Sequence, residues 1–215
     1  MKRITFLTGY YGSGKTEIAL NLALAKKVDY LVDLDVINPY FRSREAEKML
    51  SKNGTVCISS DLENGAYADL PYLSKKIFLP FREADTRSIF DLGGNDLGAR
   101  IMRQFDEEDK ADVDLFLVVN VFREETKDEA SIIRVIREIE GASGFKVTGI
   151  INNTNLLKET TYDEIYFGEA IISEVAKKCD IPIAFTSIYE EIHDPEKKVA
   201  GEPLILKLYF RKSWY

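Results

Sequence analysis

Two kinds of apolar pattern alternate along the chain. Short continuous runs rich in β-branched and aromatic residues predict strands at 3–8, 29–35, 55–59, 88–92, 113–121, 147–152 and 182–187. The run from Val113 to Val121 carries a single charge, Asp114. Continuity of this kind suits parallel strands buried on both faces better than a sheet with one wet side. Between them lie stretches with helical periodicity, predicting helices at 16–27, 43–52, 95–105, 126–140 and 162–179. Ile132, Val135, Ile136 and Ile139 fall on one helical face, and Thr126 with Glu129 reads as the capping box that starts it. Thr161 with Glu164 repeats the signal ahead of Ile165, Gly168, Ile172, Val175 and Ala176. The expected fold is α/β: a doubly wound, mostly parallel sheet of about seven strands with helices on both faces.

Exceptions to the pattern are few. Residues 61–87 hold Pro71 and Pro80, show no clear period, and read as an irregular insert or lid within a single domain spanning 1–215. In the C-terminal apolar tail, 203–215, Leu204, Leu206, Leu208 and Phe210 alternate with Lys207, Tyr209 and Arg211. That alternation predicts an edge strand packed on the body. A short amphipathic membrane helix is the alternative, disfavoured by a polar face of only a few basic residues.

In a doubly wound sheet, chemistry gathers where strands end, and the first strand ends on the most informative residues of the chain. Gly9-Tyr10-Tyr11-Gly12-Ser13-Gly14-Lys15-Thr16 is G-x-x-x-x-G-K-T, placed between a strand and a helix. This P-loop pattern curls backbone N–H groups around phosphate oxygens at a helix N-terminus, where dipole and free donors favour anions. Lys15 supplies a charge for the β- and γ-phosphates, and the Thr16 hydroxyl a ligand for Mg²⁺. The second strand ends Asp33-Leu34-Asp35, which puts two carboxylates on one side of the strand end, facing a metal or the water at the γ-phosphate. The fourth ends Asp91-Leu92-Gly93-Gly94: a carboxylate for the metal, then glycines that let Gly94 N–H approach the γ-phosphate. The sixth ends Asn152-Asn153-Thr154-Asn155. The Asn152 carboxamide offers donor and acceptor to a purine edge, and a polar turn is the alternative.

Composition narrows the classes. Of 215 residues, 45% are hydrophobic and 30% charged, ordinary for a globular chain. One histidine, His193, and two distant cysteines, Cys57 and Cys179, leave little material for a Cys/His metal site, and the cysteines read as structural thiols in a reducing cytosol. The net charge of −7, without a basic run, argues against nucleic acid as partner. With no signal peptide and no long apolar span, the expectation is a soluble cytoplasmic protein without a membrane partner.

Taken in order, the four strand-end motifs resemble the MinD/ParA/CobQ-like branch of P-loop NTPases, the SIMIBI class, from Ile4 to about Glu191. The resemblance implies an Mg²⁺-dependent ATP-binding protein and ATPase acting as a nucleotide-driven switch or assembly factor. It makes Asp35 a switch I residue near metal and hydrolytic water, Asp91 to Gly94 the switch II segment, and Asn152 the base contact. A guanine-specific N-K-x-D would need Asp at 155, where this chain has Asn155, so the implied nucleotides are ATP and ADP. Tyr10 stands where many members carry a second, trans-acting lysine in the loop. Arg42 or Arg44 are candidates to replace it, in cis or across a nucleotide-dependent homodimer. The other readings on this fold are an amide-forming ligase of the cobyrinate or dethiobiotin synthetase type and a small-molecule kinase. Each implies a small-molecule substrate where the switch implies a protein client.

Overall fold

The computed structural model describes residues 1–35, 44–59, 75–94, 96–106 and 110–209. They form one eight-stranded, wholly parallel sheet between two layers of helices. The strands are β1 (Ile4–Thr8), β2 (Tyr30–Leu34), β3 (Val56–Ser59), β4 (Ser88–Leu92), β5 (Val113–Val119), β6 (Gly149–Asn152), β7 (Ile183–Tyr189) and β8 (Glu202–Leu206). Their order is β3-β2-β4-β1-β5-β6-β7-β8. The chain winds outward in one direction from β1 to β4, β2 and β3, and in the other through β5 to β8. The loops after β1 and its neighbours therefore part over the middle of the sheet, the place where a doubly wound sheet opens a crevice.

Alternation along each strand divides the core in two. Ile4 and Phe6 of β1, Phe90 of β4 and Leu115, Leu117 and Val119 of β5 face one layer, while Leu7, Ile89, Phe116 and Val118 face the other. The first face is covered by α3 (Leu79–Arg82), α4 (Asp96–Ile101), α5 (Glu129–Ser143) and α6 (Tyr162–Cys179), with α5 contributing Ile132, Val135 and Ile136. It is rich in aromatics: Phe6 stacks on Phe90 with centroids 4.5 Å apart and meets Phe105 at 5.4 Å. Truncating one such ring to alanine costs about 3–5 kcal/mol. The second face is covered by α1 (Lys15–Lys26) and α2 (Arg44–Lys52), through residues such as Ile18, Leu22 and Leu50.

Several boundaries differ from the sequence expectation. The eighth strand, β8, lies parallel to β7 with Leu204 and Leu206 buried, so the first part of the alternating tail is a sheet strand; it ends at Leu206, and 210–215 lie outside the described residues. Helix α5 starts at Glu129, its cap two residues later than the Thr126–Glu129 signal suggests. Its cap is Asp128, whose carboxylate accepts from Ser131 N at 2.8 Å in a reciprocal capping box. Thr126 cannot serve because its buried hydroxyl donates to Asn120 O at 2.8 Å. Thr161 and Glu164 do form the box that opens α6. The helix expected over 95–105 is α4 followed by a 3₁₀ turn, Met102–Phe105, that buries Met102 and Phe105. Of the irregular stretch 61–87, residues 75–87 hold a 3₁₀ turn (Lys75–Phe78) and α3, and the remainder lies outside the described residues.

Candidate nucleotide site

The loop after β1 takes its shape from its glycines. Gly14 has φ 88° and caps α1 in the left-handed region, where a side chain is strained. A Cβ there would also fall 2.4 Å from the Asn153 amide nitrogen. Gly9 has φ 148°, and a Cβ would strike Val118 O at 2.5 Å. The loop is pinned from outside as well. Asn153, just past β6, donates its Nδ2 to Ser13 O at 2.6 Å and accepts from Ser187 Oγ of β7 at 2.6 Å. Arg123, in the turn after β5, donates its Nε to Gly12 O at 3.1 Å. Residues that follow two neighbouring strands thus add outside contacts to a loop whose shape its glycines allow.

Lys15, Asp35 and Asp91 converge beneath that loop. Lys15 is buried and its Nζ donates to Tyr10 O at 3.2 Å. Burial holds its pKa below the usual lysine value, and the Asp91 and Asp35 charges oppose that shift. Asp91 and Asp33 are register partners on β4 and β2. Asp91 is fully buried, and neither carboxylate oxygen completes a hydrogen bond. Burial pushes its pKa up to about 7, against the pull of Lys15 and of the nearby Thr16 hydroxyl, with the Asp35 charge pushing the same way as burial. A buried carboxylate with empty lone pairs, close to a threonine hydroxyl, is a donor set that fits a hard divalent cation. Asp35 N donates to Asp33 Oδ1 at 3.0 Å, and the Asp35 carboxylate lies over Gly93. Gly94 completes the group: a Cβ there would fall 2.8 Å from Lys15 Nζ and 3.0 Å from Tyr11 N. Only a glycine leaves that space open.

The other end of the loop opens into a cleft lined by Ser13, Arg123, Asn153, Asn155, Tyr189 and Leu208. Asn152 does not face this cleft. It is buried, its Nδ2 donating to Ile165 O at 3.2 Å and its Oδ1 accepting from Thr154 N at 3.1 Å, so both ends of the amide are used inside the fold. Alternation along β6 is the reason: Asn152 and Asn153 point to opposite sides, and the structure sets Asn153 against the loop. Asn155 closes its own turn through Asn153 O (2.6 Å) and Leu157 N (3.3 Å). Sequence reading missed Arg123, Ser187 and Asn153. Arg123 and Ser187 carry no local motif, whereas Asn153 could have been singled out as the other half of the Asn-Asn pair. Tyr10 and Tyr11 are exposed. Arg42 lies outside the described residues, and Arg44 is the first residue of α2.

No helix among the described residues is long and apolar enough to cross a membrane. No protein-family model matches the chain. No curated protein sequence matches it either. Solved structures do. The cell division protein FtsY of Thermotoga maritima superposes with a TM-score of 0.55 at 16% identity, covering 87% of this chain and 62% of that one. Chloroplast FtsY of Physcomitrella patens gives 0.56 at 18%, covering 90% and 59%. The signal recognition particle receptor FtsY of Elizabethkingia anophelis gives 0.53 at 11%, covering 92% and 60%. The chain spans about three fifths of the length of these proteins. At such identities the likeness establishes the fold alone, a doubly wound α/β sheet. It does not single out the MinD/ParA branch.

Proposed function

We propose that this chain binds and hydrolyses a nucleoside triphosphate with Mg²⁺ and works as a nucleotide-driven switch. The observation that carries the reading is Asp91: a fully buried carboxylate with both oxygens unmatched, beside Lys15 and Thr16 at the root of a phosphate-binding loop. Burial of that carboxylate costs free energy that Lys15 and Thr16 offset only in part, and such a cost persists where a ligand relieves it. In this reading Thr16, Asp35 and Asp91 hold the cation, which supplies charge to the β- and γ-phosphates. Lys15 exchanges its bond to Tyr10 O for phosphate oxygens, and the loop amides and Gly94 N–H take the rest of the charge. Asp35, over Gly93, holds the attacking water. Arg42 and Arg44, just beyond Asp35, are the candidates for the charge that Tyr10 lacks.

We assign the base as adenine. Guanine presents its N1–H and N2–H₂ donors to a carboxylate, and Asn155 offers an amide already engaged in its own turn. Titration of the protein with Mg·ATP and Mg·GTP, followed by phosphate release, tests the whole reading. Micromolar ATP binding, weaker GTP binding and slow release without a second substrate are expected. GTP binding equal to or tighter than ATP overturns the base assignment, and no binding of either overturns the function.

A further inference from the structure

Exposed apolar side chains are not scattered over this molecule. Of the nine large ones among the described residues, five come from three segments that meet: Phe122 in the turn after β5, Leu156 and Leu157 in the loop after β6, and Tyr166 and Phe167 on α6. Thr154 is the joint. Its hydroxyl accepts from Val121 N at 3.5 Å, and a Cβ on Gly168 would fall 2.1 Å from it, so α6 lies tight against the loop. Asn120 Nδ2 donates to Asn155 O at 3.1 Å and ties the turn to the same loop. On this base Phe122 and Phe167 stack, with centroids 5.9 Å apart and rings 9° from parallel. Phe122 is nevertheless 40% exposed and Phe167 55%. Apolar side chains gathered on a rigid surface in this way mark a place where another molecule binds. The charge around them is negative. Arg123 turns to Gly12 O, Lys127 pairs with Glu124, and Lys197 lies over the Tyr162 ring. Lys158 then stands against Glu125, Glu159 and Asp163 on the same segments, with Asp163 one helical turn before Phe167. The Tyr166 phenol pKa is raised, by burial first and then by Tyr162, Glu169 and Asp194.

We propose that this patch docks a cationic amphipathic helix of a partner protein, its apolar side chains on Phe122, Phe167 and Leu156 and its Lys and Arg side chains over the acidic surround. Charge complementarity selects that occupant. A second copy of the chain meeting the patch face to face would set acid against acid, and an anionic lipid surface would be repelled in the same way. The backbone selects a helix over a strand. β5 pairs with β1 and β6, and β6 with β5 and β7, so neither has a free edge for an added strand to extend. What the partner meets is side chains alone, and a helix presents apolar groups at three- and four-residue spacing to such a surface. The proposal stands apart from the nucleotide reading, since the patch lies outside the phosphate loop and is tested on the nucleotide-free chain.

A displayed library of random peptides about 16 residues long, enough for about 24 Å of helix, tests this when selected on the full chain and counter-selected on the Phe122→Ser, Phe167→Ser double variant. The selected peptides should carry Lys or Arg beside apolar residues at helical spacing. The best of them, synthesised, should bind the wild type and turn helical on binding. Phe122→Ser and Phe167→Ser should each weaken it by about tenfold or more. Asp163→Lys, which leaves both rings in place, should weaken it by about threefold or more, and so should raising the salt from 0.05 to about 0.5 M. Both rings are exposed, so the variants should melt with the wild type. No selected peptide, peptides that are acidic or neutral, or equal binding by both serine variants each overturns the proposal. So does a wild-type dimer that the serine variants abolish, or binding to phosphatidylglycerol vesicles that they abolish, since a second copy or a membrane would then be the occupant.

Discussion

Asn153 reaches across the top of the sheet and donates its Nδ2 to Ser13 O at 2.6 Å, joining two residues 140 positions apart in the chain. The contact sets the height of the phosphate loop against β6. Asn152, one residue earlier, spends its amide on Ile165 O and Thr154 N. The two asparagines should therefore separate in mutagenesis. Asn153→Ala should weaken Mg·ATP binding by about tenfold or more, since the loop loses its outer tether. Asn152→Ala leaves buried polar groups unmatched, so it should lower the melting temperature by several degrees, with nucleotide affinity near wild type. Calorimetric titration and thermal melts of the two variants check this. The opposite pattern would return the base contact to Asn152.

Lys15→Ala should abolish measurable Mg·ATP binding, because the charge facing the β- and γ-phosphates is gone. The same change should leave the melting temperature of the nucleotide-free protein near or above wild type. Its amine is buried, is held below its ordinary pKa by burial, and makes one hydrogen bond, to Tyr10 O. A site residue whose removal harms binding and spares the fold carries strain kept for the ligand. A melt that collapses in Lys15→Ala would make it a structural residue.

Asp91 predicts a pH signature. Its folded pKa is raised to about 7 from an ordinary 3.8, chiefly by burial. The folded state therefore holds a proton that the unfolded state has released between those values. The stabilisation is complete below the lower value and is lost as pH rises through the upper one. The wild-type melting temperature, measured without nucleotide, should fall from pH 5 to pH 8. Asp91→Asn, which keeps the volume without the charge, should flatten that decline and melt a few degrees higher at pH 8. Phosphate release by the same variant should drop about 100-fold or more. A wild-type pH slope unchanged in Asp91→Asn would remove Asp91 as its source.

Arg123 should behave as a loop residue although it stands on β5's turn. Its Nε bond to Gly12 O and its place in the nucleotide cleft predict that Arg123→Ala weakens nucleotide binding by about tenfold. Arg123→Lys should not restore it, since an ammonium lacks the directed N–H of the guanidinium plane. Full recovery by lysine would mean that charge alone matters at that position.

The sequence made some of this legible and hid the rest for physical reasons. Parallel strands declare themselves because burial on both faces leaves runs such as 113–119 nearly free of charge, and the loop at 9–16 because phosphate chemistry tolerates few alternatives. Asp91 was legible as a carboxylate at the end of an apolar strand. What stayed hidden depends on contacts distant in sequence: Arg123 on Gly12, Ser187 on Asn153, and Phe122 on Phe167. The start of α5 was misread because Thr126 had a partner, Asn120 O, that no local pattern reveals. Between Asn152, the last residue of β6, and Asn153, the first after it, the choice turned on the side to which each points, and one position along the chain decides that.

The tail supplies the last prediction. β8 closes the sheet beside β7, and the segment after it is stapled to α1. Asn21 donates its Nδ2 to Lys207 O at 3.0 Å and to Glu17 O at 2.8 Å, and its Oδ1 accepts from Lys207 N at 2.8 Å. Glu17 Oε1 accepts from Tyr209 N at 2.6 Å, one turn nearer the phosphate loop. Leu206 and Leu208 then line the nucleotide cleft. Asn21→Ala strands both Lys207 backbone groups and should cost about 1–3 kcal/mol, a fall of a few degrees in melting temperature. It should also loosen the cleft wall and weaken nucleotide binding, which Lys207→Ala, keeping the backbone, should not. Removing residues 202–215 strips β8 from the sheet, bares the β7 edge and uncovers the α1 core, and the product should aggregate. A truncated chain that stays monomeric with the wild-type melting temperature, but no longer binds anionic liposomes that the full chain does bind, would make the tail a membrane anchor and not a strand of the fold.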